Sequence, residues 1–90
     1  MSKTKTRKRL EKLMTNPKGV DPKDLDSLLR DLGFIYREGA GSHVVYNWPT
    51  EKQTEHPRPL VIPQKNPVNR FIIEKILKEI PWEEWLDEDN

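Results

Sequence analysis

Two histidines, His43 and His56, are the side chains best suited to move a proton near neutral pH. His43 follows Gly41 and Ser42, where a glycine-rich segment leads into an apolar one. Small neighbours leave an imidazole and the adjacent backbone amides open to a bulky anion. His56 lies in a polar segment next to Pro57. The pattern at His43 therefore indicates a place for phosphate chemistry, although a lone strand histidine is more often a sheet or surface residue.

Several other kinds of site are excluded by the sequence. Cysteine is absent, which excludes a disulfide framework, a thiol nucleophile and the common zinc sites. There is no His-Glu-x-x-His metal motif, no Gly-x-x-x-x-Gly-Lys phosphate loop and no Gly-x-Ser-x-Gly elbow. Ser42 and His43 are adjacent, so in a strand they point to opposite faces and are not expected to form a catalytic dyad. We expect no metal and no cofactor.

One reaction suits a single histidine without a metal, namely RNA cleavage by the neighbouring 2′-hydroxyl. The histidine takes the proton from that hydroxyl or gives one to the leaving 5′-oxygen, while cations and backbone N–H groups stabilise the charge on phosphorus. Candidate cations are Arg37, on the strand paired with that of His43, and Lys65 or Arg70, at the junction between the third strand and the last helix. Each cation also has a simpler interpretation as a solvated surface charge.

Leucine spacing predicts a helix that ends before the first strand. Asp21 suits the N-cap, and Pro22 suits the first helical position, where its missing N–H would have no partner. Four leucines at i, i+3, i+4 and i+7 give one apolar stripe: Leu25, Leu28, Leu29 and Leu32. Gly33 is typical of the position just beyond a helix end. We expect an amphipathic helix over residues 22–32 whose leucines need a sheet to cover them.

A hairpin that carries the first histidine follows this helix. Residues 34–36 are aromatic or β-branched, 39–41 are small turn residues, and 42–46 restart an extended segment. Residues 60–62 predict a third short strand, and the prolines on either side favour a strand end or an edge position. Residues 50–58 are polar without periodicity and predict a loop.

The last helix has the widest apolar face. Asn66 and Pro67 repeat the earlier start signal, and Pro81 stops the helix, which predicts residues 67–80. Its apolar face comprises Val68, Phe71, Ile72, Ile76 (or Ile73), Leu77 and Ile80. A three-stranded antiparallel sheet with two helices on one face, in the order α-β-β-β-α, covers the apolar faces of both helices. The expected class is α+β, resembling the double-stranded-RNA-binding domain, with an optional short N-terminal helix.

Charge divides the chain into three parts. Residues 1–14 have a net charge of +5, and residues 81–90 have a net charge of −5. We expect a basic N-terminal arm or short helix over 1–19, a domain over 20–80 and an acidic, tryptophan-containing tail over 81–90. The basic arm indicates an anionic partner or simply a solvated terminus. The tail is expected either to dock partly on the domain or to bind another protein.

Sequence features that direct a chain to membranes are not apparent. No apolar run approaches the ~18 residues of a membrane span. The basic start has no apolar stretch behind it, so it does not predict a secretory signal. The lack of cysteine fits a reducing compartment, and we expect a cytoplasmic protein without a membrane partner.

Four segments in a fixed order carry a resemblance to a known family: Leu28–Phe34, Gly41-Ser42-His43, Leu60–Pro63, and a closing helix with Ile73, Ile76 and Leu77. Together they cover about residues 20–80. The pattern resembles the HicA-type (YcfA-like) mRNA interferase toxins of bacterial and archaeal toxin–antitoxin pairs.

This resemblance implies a metal-independent endoribonuclease that cleaves mRNA and slows translation. The histidine of the family's Gly-Ser-His element is catalytic and corresponds to His43, with Gly41 and Ser42 beside the RNA. A HicB-type antitoxin protein is the implied partner, and it would bury or block this histidine. The chain departs from the family at Gln64-Lys65-Asn66, where many members carry a basic or histidine-bearing turn.

Two alternatives stay open. The first is a non-catalytic RNA-binding module of the same fold, whose binding would depend strongly on salt. The second is a protein-interaction adaptor that uses the segment Trp82–Leu86.

Overall fold

The computed structural model describes residues 3–87 of the 90-residue chain. It is an α+β domain with one three-stranded antiparallel sheet. In chain order the elements are α1 (Lys3–Thr15), α2 (Pro22–Asp31), β1 (Ile35–Glu38), β2 (His43–Asn47), a 3₁₀ helix (Thr50–Lys52), β3 (Leu60–Pro63), α3 (Arg70–Glu79) and α4 (Trp82–Asp87). This confirms the expected class and the antiparallel sheet.

The signals at both ends of α2 act as the sequence predicts. The side chain of Asp21 accepts a hydrogen bond of 2.8 Å from the backbone N–H of Lys23, and so caps the helix. Three of the four leucines of the stripe are buried, and Leu32 packs against them. Gly33 leaves the helix with a φ of 95°, which is accessible to glycine and strained for other residues.

The sheet has the order β1-β2-β3, so β2 is central and the other two strands are edges. Tyr36 faces Tyr46 across β1 and β2, and Val44 faces Ile62 across β2 and β3. Because side chains alternate along a strand, these residues share the inner face, which packs against the helices. The opposite face carries His43 and is open. β3 is an edge strand that ends at Pro63 and is preceded by Pro59, as the prolines predict.

The two terminal helices, α1 and α4, are joined to the core. In α1, Leu10 and Leu13 are buried, and in α4 the rings of Trp82 and Trp85 are buried in the same hydrophobic cluster. The indole N–H of Trp82 also donates to the backbone oxygen of Leu77, at 3.1 Å. The tail segment on α4 therefore takes the docked alternative, with both indoles buried, and α1 packs on the same core.

The last long helix begins later than the sequence predicts. It starts at Arg70 rather than at Pro67, with Asn69 as N-cap accepting from the N–H of Phe71 at 2.8 Å. The N–H of Val68 is instead bound to the backbone oxygen of Val20, at 2.8 Å, which holds this residue outside the helix. The later start also corrects the apolar face: Ile73 and Ile76 are buried, whereas Phe71 is 74% exposed.

The polar segment before β3 is more structured than a simple loop. It contains the 3₁₀ helix, and the side-chain amide of Gln53 donates to the backbone oxygen of Trp48, at 2.9 Å. The indole N–H of Trp48 in turn donates to the backbone oxygen of Arg58, at 2.9 Å. Buried Trp48 therefore organises a segment whose own sequence shows no periodicity.

No helix within residues 3–87 has the length and apolar character needed to cross a bilayer.

Candidate active site

His43 is the first residue of β2 and is exposed. The N–H of Gly39 donates to the backbone oxygen of His43, at 3.1 Å. The N–H of His43 donates to the backbone oxygen of Ala40, at 3.3 Å. These bonds close the turn and fix the backbone on which the imidazole stands. Within the described part of the chain, no side chain makes a hydrogen bond or ion pair with this imidazole.

The two glycines of the turn, Gly39 and Gly41, are required for different structural reasons. A methyl group at Gly39 would lie 2.9 Å from the backbone oxygen of His43, so the close approach of the two strands requires glycine there. Gly41 has a φ of 62°, and a methyl group there would meet no atom within 4 Å. The turn therefore presents an uncovered backbone beside the histidine, as the sequence suggests.

Ser42 connects the turn to the end of β3. Its backbone oxygen accepts a hydrogen bond of 2.7 Å from the N–H of Gln64, and its side chain is exposed. His43 itself faces Pro63 in the register. Lys65 follows at the same end of the sheet and is also exposed. The structure thus brings Lys65 to the end of the sheet that carries the turn.

Arg37 shares the open face with His43. It is exposed on β1 and faces Val45, so it is the diagonal cross-strand neighbour of His43. Such diagonal neighbours are about 7–8 Å apart, within reach of a long side chain. A phosphate lying over this face can therefore contact the imidazole and the guanidinium together.

Arg70 is placed differently from the other candidate cations. It starts α3, and its Nε donates to a carboxylate oxygen of Glu74, at 3.0 Å. Its charge is therefore partly balanced by the carboxylate of Glu74 on the same helix. Arg70 has no described contact with the turn or with His43.

The open face combines polar groups with a short apolar strip. Val45 lies at its centre and is buried between its neighbours, whereas Ile35 and Val61 are about half exposed, at 49% and 54%.

Within residues 3–87, no group of three or more histidine or carboxylate side chains is arranged to hold a metal ion.

His56, the second histidine, has a packing role. Its ring stacks on the indole of Trp48 with centroids 3.8 Å apart and planes 7° from parallel. It lines a groove of about 470 Å³ between the loop before β3 and α3. His43 does not line this groove, so the two histidines belong to separate parts of the surface.

A cluster of four polar and aromatic residues, which the sequence analysis missed, joins α2 to the inner face of the sheet. The hydroxyl of Tyr46 donates to Asp26 at 2.6 Å, and the Nε of Arg30 donates to both oxygens of Asp26 at 3.0 and 2.9 Å. The guanidinium of Arg30 also lies over the ring of Tyr36, 4.8 Å from its centroid. The i, i+4 spacing of Asp26 and Arg30 was the available signal, but the tyrosines come from two strands.

These contacts shift two pKa values within the cluster. Burial, followed by the hydrogen bond to Asp26, raises the pKa of Tyr46 far above its usual value. The hydrogen bond to Asp26, followed by the charge of that carboxylate, raises the pKa of Arg30. Tyr46 therefore stays a neutral donor and Arg30 stays a cation at neutral pH.

Part of the basic charge of α1 is neutralised within the fold. Arg9 forms an ion pair with Asp31, whose side chain is only 7% exposed, and Lys12 pairs with Asp24 at 3.2 Å. Lys5 and Lys8 are exposed. The basic arm is thus in part a docking surface for α2. Of the acidic tail, Glu83 and Glu84 are exposed on α4, and residues 88–90 lie outside the described residues.

Comparison with known proteins gives no assignment. No protein-family model matches the chain, and neither the curated proteins nor the solved structures contain a significant match.

Proposed function

We propose that the chain is a small endoribonuclease that cleaves mRNA without a metal ion, with His43 as its general acid or base. The observation that carries this proposal is the position of His43: it is exposed at an uncovered glycine turn, with Arg37 as its diagonal neighbour. The resemblance of residues 20–80 to HicA-type toxins supports the same role. We also infer a fold like that of the double-stranded-RNA-binding domain, on the basis of the order α2-β1-β2-β3-α3.

His43, Arg37 and Lys65 support the following reaction for RNA cleavage. His43 removes the proton from a ribose 2′-hydroxyl, whose oxygen attacks the adjacent phosphorus. The bond from phosphorus to the 5′-oxygen breaks, and that oxygen takes a proton from the protonated imidazole or from water. The products are a 2′,3′-cyclic phosphate and a 5′-hydroxyl. Arg37 and Lys65 stabilise the additional negative charge on the phosphate oxygens.

A HicB-type antitoxin protein is the partner that this proposal implies. The strip formed by Ile35, Val45 and Val61 beside His43 offers apolar area to a protein that covers the open face. Such a partner would block the imidazole by occupying the RNA surface.

A non-catalytic RNA-binding module is the second candidate. It is favoured by one observation: no described side chain orients the imidazole of His43, whereas general bases are commonly held by a third group. This candidate uses the same surface and predicts RNA binding without cleavage.

Induced expression of the wild type and of His43→Ala tests the proposal, with growth, RNA integrity and circular dichroism measured for both. His56→Phe is the matched control, since it removes the other histidine and keeps a ring on Trp48. We expect arrest and RNA breakdown with the wild type and His56→Phe, and neither with His43→Ala. Intact RNA in all three strains would favour the binding module, and cleavage by His43→Ala would rule out the assigned residue.

A further inference from the structure

Arg30 has the geometry of an arginine prepared to bind a phosphate. Its guanidinium is held in two ways, by the carboxylate of Asp26 at Nε and by the ring of Tyr36 below its plane, at 4.8 Å. Both contacts restrict a long side chain that would otherwise lose conformational freedom on binding. The guanidinium is therefore fixed before any ligand arrives.

The terminal nitrogens of this guanidinium have no acceptor within residues 3–87. Asp26 is bound through Nε, which leaves both Nη groups of Arg30 without a described partner, and the side chain is exposed. A planar pair of N–H donors matches two oxygens of a phosphate. Arg70 and Glu74 also pair through Nε, but Arg30 differs from Arg70 in having an aromatic ring, that of Tyr36, against its guanidinium plane.

The carboxylate of Asp26, bound at Nε of Arg30, does not make the surroundings of the guanidinium negative overall. Asp26 accepts the hydroxyl of Tyr46 as well as Nε, so its negative charge is already held by two donors. Lys23 and Ser27 line the same groove, which has a volume of about 400 Å³ between α2 and the sheet. With Asp26 between two cations, the charged lining residues have a net positive charge, which attracts an anion.

Arg30 is also well placed relative to the open face. Its platform, Tyr36, is adjacent in β1 to Arg37, and the two side chains point to opposite faces of this edge strand. An RNA strand that crosses the open face at His43 and Arg37 and then passes around the edge of β1 reaches Arg30.

We propose that Arg30, stacked on Tyr36 and held by Asp26, binds a backbone phosphate of the RNA at an anchoring point separate from His43. The identity of the ligand rests on the function proposed above, whereas the phosphate chemistry rests on the geometry alone. Lys23 adds a second, less ordered cation to this anchoring point.

Binding of a labelled single-stranded RNA of about 12 nucleotides tests the proposal, because such a length covers the site size of a small RNA-binding domain. The protein is the full chain carrying His43→Ala, so that cleavage does not disturb the titration. The variants added to it are Arg30→Gln, Arg30→Lys and Arg58→Gln. Arg58 is exposed and lies at the separate groove near His56, so its variant controls for the loss of one charge.

We expect Arg30→Gln to weaken binding about tenfold, and to lower the slope of log K against log salt by about 0.7, the value for one phosphate of a single strand. Arg30→Lys should keep most of the slope and lose part of the affinity, because the planar fork is gone. Equal effects of Arg30→Gln and Arg58→Gln would overturn the proposal, as would the absence of any RNA binding.

Cleavage assays on the chain with native His43 separate this proposal from the proposed function. RNA that is bound through Arg30 but never cleaved contradicts the nuclease and leaves the anchoring point intact. Cleavage whose kcat/KM is the same in the wild type and in Arg30→Gln contradicts the anchoring point and leaves the nuclease intact.

Discussion

The hydroxyl of Tyr46 donates a hydrogen bond of 2.6 Å to Asp26, and this contact joins the central strand to α2. Tyr46 lies on the same β2 strand as His43, with its side chain on the opposite face. The bond therefore fixes the strand that carries the proposed general base, from the buried side of the sheet.

Replacing Tyr46 with phenylalanine removes this bond and keeps the ring. We expect a loss of about 1–2 kcal/mol in the free energy of unfolding, because the acceptor is charged but stays paired with Arg30. Urea denaturation measures the change. An unchanged midpoint would show that the bond adds nothing to the stability of the domain.

The same variant predicts a difference in pH dependence. The pKa of Tyr46 in the folded state is raised above the ordinary value of 10.0, so its contribution to stability is complete below that pH. The contribution is lost as the pH rises above that value, because the unfolded tyrosine releases its proton first. We expect wild-type stability to fall more steeply than that of Tyr46→Phe above about pH 10. Parallel curves would contradict the assignment.

Gly39 and Gly41 should respond differently to alanine. At Gly39 the methyl group meets the backbone oxygen of His43 at 2.9 Å, so the strand must shift, and we expect about 1–3 kcal/mol of destabilisation together with reduced RNA cleavage. Denaturation and cleavage assays on Gly39→Ala measure both effects. Full activity at wild-type stability would mean that the turn tolerates the methyl group.

At Gly41 the cost comes from the backbone conformation and not from crowding. With a φ of 62° and open space around it, Gly41→Ala should lose about 1 kcal/mol in the free energy of unfolding. Gly41→Asn should lose less, since asparagine adopts this conformation more readily. Denaturation of the two variants checks the order, and a smaller loss for alanine would contradict the argument.

Trp85 belongs to the core, so its removal should destabilise the domain rather than merely abolish a contact with another protein. Its ring lies 5.9 Å from that of Phe34 and 5.7 Å from that of Trp48. We expect Trp85→Ala to cost about 3–5 kcal/mol, as measured by thermal or urea denaturation. Glu84→Ala, an exposed neighbour on the same helix, is the control and should be nearly neutral.

Arg9 tests whether the basic helix is part of the domain. Arg9→Gln leaves the largely buried carboxylate of Asp31 without its cation, and we expect about 1–3 kcal/mol of destabilisation. Lys5→Gln changes the charge of the same helix by the same amount at an exposed position and should have little effect. Similar denaturation midpoints for both variants would mean that the ion pair contributes nothing.

The parts of the fold that the sequence predicts well are those with local causes. Asp21 and Pro22 start α2, and the turn before His43 needs only its own glycines, so both follow from neighbouring residues. The position of His43 at the exposed start of β2 follows from the same turn. Its role in catalysis stays a prediction.

The parts that could not be predicted depend on contacts between distant segments. The start of α3 depends on the cap at Asn69 and also on a backbone bond between Val68 and Val20, and the proline signal before the helix gives no hint of that bond. The anchoring geometry of Arg30 likewise depends on Tyr36 and Tyr46, which the sheet register brings together beneath α2. The hairpin turn fixes the pairing of the two tyrosines, but no spacing rule along the chain indicates that α2 packs over them.

Pro63, the last residue of β3, has a consequence for the behaviour of the protein at high concentration. Since the N–H of Gln64 bonds to Ser42 and backbone groups alternate sides along a strand, Val61 and Pro63 direct theirs to the free edge. Proline has no N–H, so within β3 only Val61 offers an outward donor to an incoming strand. The β3 edge is therefore a poor template for an added strand, which lowers the tendency of the protein to polymerise through this edge.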